Sequence, residues 1–365
     1  MVVNASRLAV ARECQGFTKS YVAQQLGVST QAIKDYEDGN TVPSLHRLEE
    51  LASPGLYDVP IGFFSREEIE DVPIESITFR SRRSLRASVR SRAVAKSRIA
   101  SQDIARFLEA EFAMPEVDIP TDLASLSPEE AARVLRMKWG LGYGPIDNMV
   151  HLLEAKGVFV FWVHEDSKAV DGFAYWVDSR PVIFLNSFKE SGERGRFDAA
   201  HELGHLILHA DVPKERLDTK EIEDQANDFA SAFLMPAEQF RQEAPRIHSI
   251  HAFLRLKPRW KVAVQAMVRR SRDLGLLTQW HYETAYKQMS MMGWRSGPEE
   301  GALSREGSHL HFVIFDALGQ QGTHPEDVAN QLDLRLSLLL ELMPSANYFT
   351  KDRLSIKGNL RILSD

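Results

Sequence analysis

Residues 199–209 read AAHELGHLILH, and its two histidines His201 and His205 stand four apart. On an α-helix that separation brings both imidazoles to one face, a turn apart, which is the spacing one zinc ion needs from two nitrogen ligands. Glu202 follows the first histidine and sits about 100° around the helix. Its carboxylate can then hold a proton of an attacking water without joining the ligand set. A plainer account of the same letters is an amphipathic helix that buries Leu203, Leu206, Ile207 and Leu208.

A zinc with two histidines needs a third protein ligand, usually from a second helix. Residues 223–236 read EDQANDFASAFLMP. Glu223 and Asn227 share one face, while Ala226, Phe229, Ala230, Phe233 and Leu234 form an adjacent apolar face able to pack on the first helix. Glu223 is the candidate ligand, and Asn227 is a candidate to orient a histidine from behind. Glu221 and Asp224 are nearby alternatives, on sides harder to reconcile with that packing.

The surrounding chain predicts mainly helix with a small sheet. Strand-like runs occupy Val158–Val163, Phe173–Val177 and Pro181–Asn186, the last two joined at Asp178-Ser179-Arg180 by a hairpin signal. Pro181–Asn186 is the candidate edge strand for aligning an extended peptide. Helices are expected at 128–139, starting from the Ser127-Pro128 cap, and at 145–156, 194–209, 221–233 and 236–243. A pair of helices is expected in 258–293. Tyr175, His209 and His281 are weak candidates for oxyanion stabilisation. In the tail, His309 and His311 alternate as on a strand.

The first 64 residues read as four or five short helices, with Thr18, Ser29 and Ser44 as caps and Gly27 as a stop. Gly27 permits a tight turn and Ser29 starts a helix whose N-terminal residues can enter a major groove. Ser29, Thr30, Gln31 and Lys34 would face DNA, Gln31 being suited to adenine, and Lys19 could reach a phosphate. Asp35 and Asp38 oppose this through their charge, so a protein-interaction or dimerisation module is the competing reading. A long amphipathic helix is expected from about Ser84 to Phe112. Its basic run, Arg80, Arg82, Arg83, Arg86, Arg90, Arg92, Lys96 and Arg98, is either a solvated face over buried Leu85, Val89, Ala93 and Ile99 or a set of phosphate contacts.

Net charge is −7 and the only cysteine is Cys14, which excludes an internal disulfide framework. With no signal-peptide layout and no long apolar span, a soluble cytoplasmic protein is expected.

Arg194 to Phe197, His201 to His205 and Glu223 to Pro236 together resemble the ImmA/IrrE family of metallopeptidases, as do Trp260 to Ala266, Arg269-Arg270 and Gly293 to Arg295. Ala263 departs from the serine common there. Residues 7–64 resemble the XRE, or lambda-repressor-like, helix-turn-helix family through Arg7-Leu8, Phe17-Thr18, Val22-Ala23, Leu26 to Ser29, Gln31 to Ile33, Tyr36 to Gly39, Pro43 and Phe63-Phe64. The first resemblance implies Zn²⁺ on His201, His205 and Glu223, Glu202 as the base, and a repressor or antitoxin-like protein as substrate in stress-linked gene control.

The expected layout is mainly α, α+β. A helix-turn-helix bundle fills 1–66 and a linker with the basic helix 67–124. A gluzincin-like peptidase with its small sheet fills 125–295, and a C-terminal mixed region 296–365. The expected function is a DNA-binding transcriptional regulator fused to a zinc endopeptidase, either monomer or homodimer. The alternative is a transcription factor that uses the peptidase fold to sense a ligand or peptide without hydrolysis.

Overall fold

The computed structural model describes residues 2–351 and 353, apart from 73–85, 167–169, 189–190, 211, 213–218, 246–248, 295–296 and 298. Arg80, Arg82, Arg83, Leu85 and Arg295, named above, lie outside the described residues. The protein is mainly α, α+β, as its periodicities predict.

Four short helices open the chain: α1 (Ala5–Cys14), α2 (Lys19–Leu26), α3 (Thr30–Glu37) and α4 (Leu45–Ala52), followed by a 3₁₀ turn, Ile61–Ser65. Thr18, Ser29 and Ser44 each accept a backbone N–H of the helix they start, and Gly27 stops α2 at φ 65°, a conformation that favours glycine.

A long helix follows, α5 (Ala87–Arg98), running through a π-helical stretch, Ile99–Ile104, into α6 (Ala105–Glu111). Residues 93–105 are buried throughout, whereas 86–88 are exposed, so of the described basic run only the N-terminal end presents a solvated face. Arg92 pairs with the fully buried Glu165, Lys96 with Glu341 at 2.6 Å, and Arg98 with Asp71 at 2.9 Å. Three of the expected DNA-facing cations are consumed by contacts within the chain. Arg86 and Arg90 have no ion pair among the described residues.

Next come α7 (Pro128–Lys138), with a capping box between Ser127 and Glu130, and α8 (Met149–Ala155). The sheet is β1 (Phe159–Val163), β2 (Gly172–Val177) and β3 (Arg180–Asn186), in the order β1-β3-β2. β2 and β3 form the expected hairpin, with Asp178 at φ 51° in a two-residue turn. The expected edge strand is corrected: β3 lies in the middle, parallel to β1 and antiparallel to β2. Burial on both faces is what its unbroken VIFL run encodes.

The remaining helices are α9 (Gly192–Leu208), α10 (Lys220–Leu234), α11 (Ala237–Glu243), α12 (Ile250–Trp260), α13 (Val264–Asp273), α14 (Gln279–Met291), α15 (His309–Gln320), α16 (Pro325–Gln331) and α17 (Leu336–Leu342). The expected pair within 258–293 is α13 and α14, divided by Gly275 at φ 72° and the Thr278 cap, while α12 ends at the start of that range with Lys261 at φ 55°. His309 and His311 lie on a helix rather than a strand.

Alternation along the strands splits the core in two. Phe159, Phe161, Phe173, Tyr175 and Phe184 face the long helix and the C-terminal helices. Val160, Trp162, Ala174, Ile183 and Leu185 face α8, α9 and α10. The first cluster is continuous with that of α1–α4, so the N-terminal bundle, the long helix, the sheet and the tail share one core.

Candidate metal centre

Helix α9 starts from Ser191, whose hydroxyl accepts Arg194 N–H, and α10 from Thr219, which accepts Ile222 N–H. The two helices pack closely because Gly204 has no side chain: a Cβ there would lie 3.1 Å from the Phe229 ring and 3.4 Å from Ala226. This approach brings the first turns of α10 to the two histidines.

His201 Nε2 and His205 Nε2 are 3.0 Å apart, and the Glu223 carboxylate lies 3.5 Å from the first and 3.6 Å from the second. One ligand atom from each lies within 4.8 Å of the others, a group that could hold a metal ion. Two ring nitrogens this close, facing a carboxylate, suit a shared cation. Burial pushes the His205 imidazole down to about 3, so at neutral pH it offers a lone pair. Burial alone would raise the Glu223 carboxyl, but the two imidazole rings it faces outweigh it and hold the group well below the usual carboxylate range. Glu221 and Asp224 are outside the converging group.

Glu202 is buried beside this group. A Cβ at Gly172 would lie 3.3 Å from Glu202 Oε1, so the absent side chain leaves the carboxylate room at the start of β2. Asn186 N–H donates to Asp171 O at 3.1 Å. By antiparallel alternation, the backbone groups of Gly172, Ala174 and Trp176 then point off the sheet's edge. That edge walls a cavity of about 220 Å³ whose other sides include His205, His209, Gln102 and Glu70 to Val72.

The other named residues are placed differently. Asn227 donates its amide to Glu223 O at 2.7 Å, one turn back in its own helix, rather than to a histidine ring. Tyr175 turns its hydroxyl to Ser97 at 2.9 Å and Ser101 at 3.1 Å, in the core on the sheet's far face. His281 is at the start of α14, against Thr278. His209 is next to the site but behind it: its Nδ1 is 2.9 Å from His205 Nδ1, and its Nε2 is 3.0 Å from Gln225 Oε1. Gln225 escaped the sequence reading. The available signal was the helical row 201, 205, 209, whose third imidazole needs a partner across the helix interface.

Residues 153–272 match the model of the IrrE N-terminal-like domain, a peptidase family. This segment is similar to an IrrE N-terminal-like domain. Residues 8–54 match a helix-turn-helix model, so the chain joins a DNA-binding domain of XRE type to an IrrE-like domain of a metallopeptidase family. No curated protein matches the chain. The match to the IrrE-like domain takes in β1 to β3 and both helices of the metal group.

At the helix-turn-helix end, Ser29, Thr30, Gln31 and Lys34 are all exposed on α3. Gln31 Nε2 donates to Asp35 Oδ1 at 2.9 Å, and Lys19 pairs with Glu37 at 3.2 Å. No helix among the described residues is long and apolar enough to cross a membrane.

Proposed function

We propose that this DNA-binding regulator holds zinc on His201, His205 and Glu223 and hydrolyses a peptide bond in a repressor or antitoxin-like protein. The observation that carries this is the convergence of the two Nε2 atoms and one carboxylate. Tetrahedral zinc with bonds of about 2.0 Å sets its ligand atoms about 3.3 Å apart, against 3.0, 3.5 and 3.6 Å here.

Zinc, when bound, supplies a Lewis acid that polarises a carbonyl and brings the pKa of water from about 16 to about 7. Glu202 takes the proton from the attacking water and returns it to the leaving amine. Gly172, Ala174 and Trp176 offer outward backbone groups on which an extended substrate can add as a strand, so β2 takes the role expected of β3. Residues 1–66 bring the regulator to its operator through Ser29, Thr30, Gln31 and Lys34, with Lys19 released from Glu37 for a phosphate.

The test is cleavage of proteins encoded beside this chain by the purified, zinc-loaded protein. Glu202→Gln is expected to lower the rate by about 10²–10⁴. Equal cleavage by both removes Glu202 as the base.

One observation favours a second reading, in which the domain senses a ligand without cutting. Arg7 of α1 and Arg92 of α5 are ion-paired to Asp103 and Glu165, so a change at the sheet can reach the DNA-binding helices. Ligand-dependent DNA affinity in Glu202→Gln, with no cleavage by wild type, would select it.

A further inference from the structure

We propose that His209 and Gln225 are positioning residues that decide which nitrogen of His205 carries the proton, and hence whether His205 can ligate a cation. This rests on the metal reading above and is independent of hydrolysis.

A neutral imidazole has one N–H and one lone pair. Gln225 turns Oε1 toward His209 Nε2 at 3.0 Å, and an amide oxygen only accepts. His209 therefore carries its proton on Nε2 and donates it there. Its Nδ1 is left with a lone pair, 2.9 Å from His205 Nδ1. His205 must donate from Nδ1, which frees the Nε2 lone pair to face His201 and Glu223. Both rings are buried, at 6% and 5% exposure, so the order of protons is set by the side chains themselves. If Gln225 presented its amide N–H instead, both rings would flip their protons and His205 Nε2–H would stand where the cation fits.

The relay is specific to one ligand. His201 Nδ1 has no partner among the described residues. Glu223 and Gln225 lie two apart near the start of α10, so docking that helix on α9 delivers a ligand and the end of the relay together. Behind a metal-bound histidine, such partners fix the ring's tautomer and orientation.

The test uses the full chain. Nitrogen–proton NMR of the metal-free protein is expected to find His205 as the Nδ1–H tautomer. Zinc affinity, measured by competition with a chromophoric chelator, is expected to stay within about twofold of wild type in Gln225→Glu, whose carboxylate also only accepts. It is expected to fall about 10–100-fold in Gln225→Met. A His205 Nε2–H tautomer, unchanged affinity in Gln225→Met, or equal loss in both variants would overturn the proposal. A zinc-loaded chain that cleaves nothing overturns the peptidase reading and leaves this one intact.

Discussion

Arg7 of α1 and Asp103 of the π-helical stretch form a two-pronged ion pair, Nη2 to Oδ1 at 2.8 Å, with side chains only 1% and 5% exposed. It joins the DNA-binding bundle to the helix that covers the sheet. Removing one partner of a buried pair strands the other charge, at a cost of about 3–5 kcal/mol. Asp103→Ala is expected to lose that much in urea unfolding. A change under about 1 kcal/mol would mean that water already screens the pair.

Gly204 sets the distance between the two helices of the metal group. Its absent Cβ would meet the Phe229 ring at 3.1 Å. Gly204→Leu must push α10, and Glu223 with it, away from the histidines. Overpacking of this kind costs about 1–3 kcal/mol. Zinc affinity should fall more steeply than stability, so chelator competition and thermal melts together distinguish it from simple destabilisation.

What the sequence made legible was local. The HELGH spacing, the Thr18, Ser29 and Ser127 caps and the Asp178 turn each depend on residues within one or two turns, and each is where it was expected. What depends on distant partners was not legible. Glu165 and Glu341, which neutralise Arg92 and Lys96, are 73 and 245 residues away, so the basic helix read as a free cationic face. Strand order is likewise non-local, although the continuous apolar run of β3 carried the signature of a central strand. His309 and His311 misled because alternation over three residues cannot separate a strand from the first turn of a helix.

His311 is buried between Phe161 and Trp162, with neither ring nitrogen bonded among the described residues. Burial pushes its pKa down to about 3 from 6.5. The folded pKa is the depressed one, so between 6.5 and 3 the unfolded chain binds more protons than the folded one. The contribution is fully present above 6.5 and is lost as pH falls, by up to about 1.4 kcal/mol per unit. His311→Phe should flatten the stability profile between pH 6.5 and 4.5. A profile as steep as that of wild type would show that other groups set the slope.

Asp35 acts on the recognition helix in two ways. It accepts the Gln31 amide at 2.9 Å, and under the proposed DNA contacts its negative charge would repel phosphates. To read a base, Gln31 must give up this bond. Asp35→Ala is expected to tighten operator binding several-fold, and Lys34→Ala to weaken it and reduce the salt slope by about 1. Both are read by titration at several salt concentrations. No response in either variant would favour a helix-turn-helix used for protein contacts.

Glu223, the proposed metal ligand, and Asn227 differ in what their side chains face. The Glu223 carboxylate faces both Nε2 atoms, whereas among the described residues the Asn227 amide donates to the Glu223 carbonyl. A ligand that binds only the folded state at 100 times its Kd adds about 2.7 kcal/mol. Wild type should gain about that from zinc and lose it to a chelator. In Glu223→Ala most of the gain should vanish, because two imidazoles alone leave the cation under-coordinated. Asn227→Ala should keep it, since the carboxylate still reaches the pair, and so should Glu221→Ala and Asp224→Ala. Were Asn227→Ala to abolish the zinc-dependent gain as fully as Glu223→Ala, the amide would belong to the support of the ligand set, and the backbone bond would be a minor part of what it does.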